Sequence, residues 1–356
     1  MIKKLQDLLR LPDCKIDGCL IISPENRRYF TGFESSDGYL LVTGDDAVFI
    51  TDSRYIEAAE NTVKDCSVLL QGDHVSQIGD FFAAKNVKRI GIEASRLTVL
   101  TLGFFKENLA QFDFISDNTL DTFIESLRSV KSFSEVESIK AAQRIAEKAL
   151  LHACSMIKEG VTEKDIQLEL DFFMLRNGAE ALSFETIAVA GKKTSMPHGV
   201  PSDNTVHNGD FITMDFGAVV NGYHSDMTRT VALGFVSDEQ KKVYETVLKA
   251  QTESISAYKA GVPCSEADKV ARDIIASAGY GDYFGHGLGH GVGVEIHEYP
   301  SVSPRSKSIL REGNIVTDEP GIYIPDKFGV RIEDMIYITA DGNINLTEAD
   351  KALTVL

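Results

Sequence analysis

Two ten-residue stretches, NGDFITMDFG at 208–217 and EGNIVTDEPG at 312–321, align without gaps. Gly209 falls on Gly313, Thr213 on Thr317, Asp215 on Glu319 and Gly217 on Gly321. Each stretch follows two helix starts of the capping-box kind, in which a hydroxyl and a carboxylate or amide three residues on satisfy orphan backbone donors. Ser134 with Glu137 and Thr162 with Asp165 serve the first stretch, Ser237 with Gln240 and Ser265 with Asp268 the second. The helices close near Gly160, Asn177-Gly178, Gly261 and Gly279. Each half therefore reads helix, helix, β-hairpin, with a carboxylate at the same place in the hairpin. The shared order makes an internal repeat a better account than chance similarity between two strands.

The hairpin register brings carboxylates together. Asn221-Gly222 lies between β-type runs and is the favoured two-residue turn, so Val220 faces Tyr223. Continuing that register sets Gly217 opposite Asp226, which places Asp215 and Asp226 on one face as diagonal neighbours, with Gly217 leaving the space between them open. In the second half, a three- or five-residue loop within PDKFG puts Glu319 and Glu333 on one face. The expectation is four carboxylates in two matched pairs. Such a set repels itself unless protonated or neutralised by cations. Two divalent metal ions are the economical neutraliser. Oxygen-rich ligation suits Mn²⁺ or a similar borderline ion, with Co²⁺ or Zn²⁺ as alternatives. The bland reading is four unrelated carboxylates on an acidic surface, and the repeat argues against it.

GHGLGHGVGVEIHE at 285–298 holds three of the chain's eight histidines. His286 and His290, four apart, suggest a zinc helix, but Gly287, Gly289 and Gly291 would each cost about 1 kcal/mol in a helix interior. An extended or looped backbone is predicted, its missing side chains letting a ligand approach. Five scattered cysteines without CxxC pairing indicate neither a disulfide framework nor a thiolate metal site. A net charge of −17 argues against non-specific nucleic-acid binding, and no apolar run approaches membrane-spanning length. The chain reads as cytoplasmic. Ahead of the repeat, short β-type runs at 18–23, 39–51, 66–71 and 89–94 alternate with helical segments, predicting an α/β unit over 1–127 before a domain at 134–356.

PHGVP (197–201), DFGAVVNGYHSDMTRT (215–230), FGHGLGHGVGVEIHE (284–298), EPGIYIP (319–325) and GVRIED (329–334) together resemble the pita-bread metallopeptidases, in the branch of aminopeptidase P and prolidase (Xaa-Pro dipeptidase). ISPENRRYFTGF (22–33) and TDSRY (51–55) resemble the smaller N-terminal domain of that branch. The resemblance implies an α/β (α+β) chain: a creatinase-like α/β domain, then a pseudo-symmetric pita-bread catalytic domain. It implies Asp215, Asp226, His290, Glu319 and Glu333 as metal ligands, with Asp226 and Glu333 bridging two ions. It implies His198 and His297 as histidines that steady the scissile carbonyl, His286 as a pocket residue, and His224 as non-catalytic. Glu319 is the candidate proton acceptor. Arg331 orients the carboxylates, contacts substrate, or forms a structural ion pair. A homodimer acting on peptides with proline in second position is implied as well.

Four function readings follow. The leading one is a dinuclear Xaa-Pro aminopeptidase, and the alternative is the Xaa-Pro dipeptidase. Ser301, where some prolidases carry an arginine, favours the former; Arg305 is the candidate substitute. A non-catalytic peptide-binding module and a creatinase-like, metal-independent enzyme are the different-class readings, and the five intact ligand types count against both.

Overall fold

A computed structural model describes all 356 residues. The chain forms two compact units, Met1–Arg128 and Ser129–Leu356. In the first, a six-stranded mixed sheet has strands 67–70, 47–51, 39–43, 18–21, 89–92 and 113–115 side by side in that order. Helices His74–Ala84 and Val99–Asn108 cover one face through Ile78, Phe82 and Phe105, which pack on Leu20, Leu41 and Ile50. Removing each such large apolar side chain from water stabilises the unit by roughly 1.5–3 kcal/mol. No helix is long and apolar enough to cross a membrane.

The second unit shows the repeat. Helices Phe133–Met156 and Glu163–Arg176 pack on a sheet whose strands are Ile187–Ala190, Phe211–Phe216 and Met227–Ala232. Helices Asp238–Ala257 and Cys264–Ser277 pack on a sheet containing Gly289–Gly291, Ile315–Asp318 and Asp334–Ile338. Each half encloses its own apolar cluster. Two of the four helix starts differ from expectation. The first capping box is Ser132 with Glu135, not Ser134 with Glu137. The fourth helix starts on Pro263; Asp268 instead accepts from Leu288 N and holds Arg272. Pro263 brings a preset φ of −61° to the boundary but no side-chain acceptor, and the first-turn Cys264 N donates to Ser308 O instead.

The first hairpin has the expected register. Val220 faces Tyr223, and past the tip Phe216 faces Met227 and Asp215 faces Thr228. Asn221 and Gly222 both take positive φ, as a two-residue turn of this hand requires. The second hairpin turns through Pro325, Asp326 and Lys327, a three-residue loop, with Ile324 facing Phe328. Asp318 faces Asp334 and Gly321 faces Arg331, so one register runs through both ladders and sets Glu319 directly opposite Glu333.

The carboxylate pairs are therefore not matched. Across from Asp215 stands Thr228, with Asp226 on the diagonal; across from Glu319 stands Glu333, with Arg331 on the diagonal. The return strands of the two hairpins lie against each other: Glu333 N donates to Thr228 O, and Thr230 Oγ1 donates to Arg331 O. Equivalent positions Thr228 and Glu333 thus meet at the pseudo-twofold axis.

Candidate active site

The hairpins and the glycine-rich strand converge on a cavity of about 590 Å³ whose wall contains all nine residues singled out from the sequence: His198, Asp215, Asp226, His286, His290, His297, Glu319, Arg331 and Glu333. His290 Nε2 lies 3.6 Å from Asp226 Oδ2 and 3.5 Å from Glu319 Oε1. Asp226, His290 and Glu333 each offer a ligand atom, all within 4.8 Å of one another. The Nδ1–H of His290 donates to Gly291 O at 3.0 Å, which leaves Nε2 free to face the carboxylates.

The electrostatics are those of a cation site. Burial, then the charges of Asp215 and Glu319, hold the Asp226 carboxyl well above the usual carboxylate range. Burial, then the charge of Asp226, does the same to Glu333. Burial pushes Glu319 up to about 8, with Asp215 adding to the effect and Arg331 opposing it. His290 is driven down to about 4 by burial and the neighbouring His297, so its imidazole is neutral and ligand-competent at pH 7. Asp215 Oδ1 is buried without a hydrogen-bond partner. Four carboxylates, one neutral imidazole, no thiolate and an orphaned oxygen fit a divalent cation site of borderline or hard type.

Side chains unsingled by the sequence hold this cluster. Thr228 Oγ1 donates to Glu333 Oε2 at 2.7 Å and accepts from Arg331 Nε at 2.9 Å. Arg331 reaches Asp215 Oδ2 at 2.6 Å and donates to Tyr323 OH at 2.9 Å. Arg331 is thus ion-paired with the site carboxylate Asp215 and also lines the cavity. His286 donates from Nδ1 to Gly287 O, and its Nε2 lies 2.9 Å from Tyr323 OH, so both its nitrogens are engaged. Thr228 and Tyr323 sit inside the quoted motifs; only the register, read across strands, marks them. Thr228→Val keeps shape and loses both bonds. Its cation affinity, read by calorimetric titration, is expected to fall about 10- to 100-fold with the fold intact; unchanged affinity would remove Thr228 from the site.

The glycines do different work from that expected. A Cβ at Gly217 would collide with Ser225 O, at Gly289 with Thr317 O, and at Gly291 with Tyr299 O. They admit neighbouring backbone, not a ligand, and the space beside Gly217 is filled. His198 stands on the loop after Gly191–Ser195. Buried Glu163 ties both ends of that loop, accepting from Ala190 N and Lys193 Nζ on one side and from Ser202 N and Asn204 Nδ2 on the other. His224 bonds Ser183 and does not line the cavity.

Comparison with known proteins places this geometry. Residues 137–340 match metallopeptidase family M24, and residues 1–130 match the creatinase/prolidase N-terminal domain. The chain belongs to metallopeptidase family M24, the pita-bread peptidases that its motifs resemble. It is 39% identical over 358 residues to a Xaa-Pro dipeptidase of Pyrococcus furiosus, covering 99% of this chain and 100% of that one. Among solved structures, a Xaa-Pro dipeptidase from Bacillus anthracis superposes with a TM-score of 0.95 at 39% identity, covering 100% of this chain and 99% of the other. An X-Pro aminopeptidase from Thermotoga maritima MSB8 superposes with a TM-score of 0.90 at 37% identity, covering 96% and 98%. The expected metallopeptidase class is borne out, and the non-catalytic reading falls away.

Proposed function

We propose that this chain is a Xaa-Pro dipeptidase that hydrolyses the bond between an N-terminal residue and a following proline. The supporting observation is end-to-end similarity, at 39% identity, to Xaa-Pro dipeptidases. These relatives favour the dipeptidase over the aminopeptidase reading that Ser301 suggested. Asp215, Asp226, His290, Glu319 and Glu333 would hold two divalent cations, Mn²⁺ being the leading candidate. Such ions supply Lewis acidity for activating water and polarising a carbonyl.

The chain's own groups supply the rest. Glu319, ionised once cations hold the site, would accept the proton of the attacking water and deliver it to the leaving prolyl nitrogen. His297, exposed toward the cavity and packed 4.3 Å from the His290 ring between centroids, donates to the carbonyl oxygen as charge develops there. His198 serves the same oxygen from its own loop. His286, a neutral imidazole in the cavity wall, is held in place by Tyr323 OH. A prolyl amide has no N–H, so the wall around the scissile bond needs no acceptor for it. All five cysteines are free, which suits the reducing cytoplasm, and a homodimer belongs to the same reading.

One observation favours the aminopeptidase as a second reading. Arg331 is the one Lys or Arg in the cavity wall, and Asp215 engages it. Ser301 and Ser303 line the wall, while Arg305 is exposed and does not. Steady-state hydrolysis of a Xaa-Pro dipeptide and the Xaa-Pro-Xaa tripeptide separates the two. The dipeptide is expected to have at least about ten-fold higher kcat/KM, the scale of one charged hydrogen bond. A tripeptide cleaved equally well or better makes the enzyme an aminopeptidase.

A further inference from the structure

A buried ion pair outside the carboxylate cluster ends one residue from His297. Lys131 Nζ lies 3.1 Å from Glu298 Oε2, with side chains 1% and 4% exposed. Lys131 belongs to the short segment before the first long helix, and that segment is fastened in place. Lys131 N donates to Gly313 O at 2.8 Å, and Asn314 Nδ2 donates to Ser129 O at 2.8 Å. The ammonium therefore projects from a fixed backbone.

Around the other partner the chain is wrapped tightly. Glu298 also accepts from Glu295 N at 3.1 Å. Its carboxylate fills the place a Cβ would take at Gly293. Gly293 N donates to Glu295 O, and Gly293 O accepts from His224 N. Residues 293–298 thus close around one carboxylate. His297 is carried on that loop with its ring exposed and packed on His290, so the backbone sets its position.

We propose that Lys131 is a positioning residue: through its ion pair with Glu298 it fixes the 293–298 loop and so aims His297 at the reacting carbonyl. The inference rests on the role assigned to His297 under the proposed function. Removing one partner of a buried pair is disruptive because the other charge stays behind without its counter-ion. An error of about 1 Å in the placement of a reacting group is worth about 100-fold in rate.

The test is a double-mutant cycle on the cation-loaded full-length enzyme with a Xaa-Pro dipeptide. Lys131→Met is expected to lower kcat about 10- to 100-fold, with KM and bound cation per chain unchanged. In the His297→Ala background the same substitution is expected to cost less than about two-fold, since the group it aims is gone. Lys131→Met/Glu298→Gln removes both buried charges, guards against a misfolded single variant, and should show the same dependence on background. Equal losses in both backgrounds, or full activity of the folded variants, would overturn the role of Lys131. A His297→Ala enzyme with wild-type activity would overturn the role of His297, and the proposal with it.

Discussion

Stripped of divalent cations, the protein is expected to lose peptidase activity and to melt at a lower temperature, by a margin that widens as pH rises. Burial places Glu319 near 8 against an ordinary 4.5, and Asp226 and Glu333 move in the same direction. A carboxyl raised in the folded state contributes stability that is complete below its unfolded value and lost as pH climbs through the folded one. Between about pH 4.5 and 8 the cation-free protein therefore weakens steadily. Cations reverse this by favouring the ionised carboxylates. At a concentration 100 times Kd they add about 2.7 kcal/mol, or roughly 5–10 °C in Tm for a unit of this size. Calorimetry of chelated and Mn²⁺-loaded protein at pH 5.5, 6.5 and 8 reads the effect. Full activity after exhaustive chelation, or a Tm gap independent of pH, would sink the cation site.

Removing a ligand and removing His297 are expected to fail in different ways. Asp226→Ala or Glu333→Ala should reduce kcat/KM by at least about 10³-fold and bound cation with it. The cation-free form of either variant should be no less stable than the wild-type apo-protein, since one of several mutually repelling carboxyls has gone. His297→Ala should keep its cations and lose about 10²- to 10³-fold in kcat, the usual worth of a donor aimed at a developing oxyanion. Elemental analysis beside steady-state kinetics makes the comparison. If His297→Ala loses cations as the ligand variants do, its role is ligation rather than carbonyl binding.

The convergence of four carboxylates was readable in the sequence because hairpin geometry has period two, whereas the histidines came with the motifs' resemblance to the family. Asn221-Gly222 set the first register; for the second the sequence left a three- or five-residue loop open, and the structure has three residues, Pro325–Lys327. What the alignment of 208–217 with 312–321 hid was the return strand. Similarity in the outgoing strand invited the assumption of matched carboxylate pairs, whereas the facing positions hold Thr228 and Asp226 in one half and Glu333 and Arg331 in the other. Glycine misled for another reason. A missing side chain makes room, and local sequence does not say whether a ligand or a neighbouring strand takes it. At Gly289 and Gly291 the carbonyls of Thr317 and Tyr299 take it. Lys131 lay outside every motif, and its meaning depends on a contact 167 residues away.

The unlike return strands also set the long-range field of the site. Two copies of the first hairpin would supply four carboxylates and no guanidinium, and two copies of the second would supply four with two. This chain has four and one. With two divalent cations bound, and with His290 neutral, the cluster therefore carries a single net positive charge inside a protein of net charge −17. A short peptide with its carboxylate close to the scissile bond would be drawn inward by that charge without an unpaired Lys or Arg in the wall. In a longer peptide the carboxylate would sit further out, where that attraction is weaker. Discrimination by substrate length can thus arise from the field rather than from a contact, and such a preference fades with added salt as the screening length falls toward about 3 Å at 1 M.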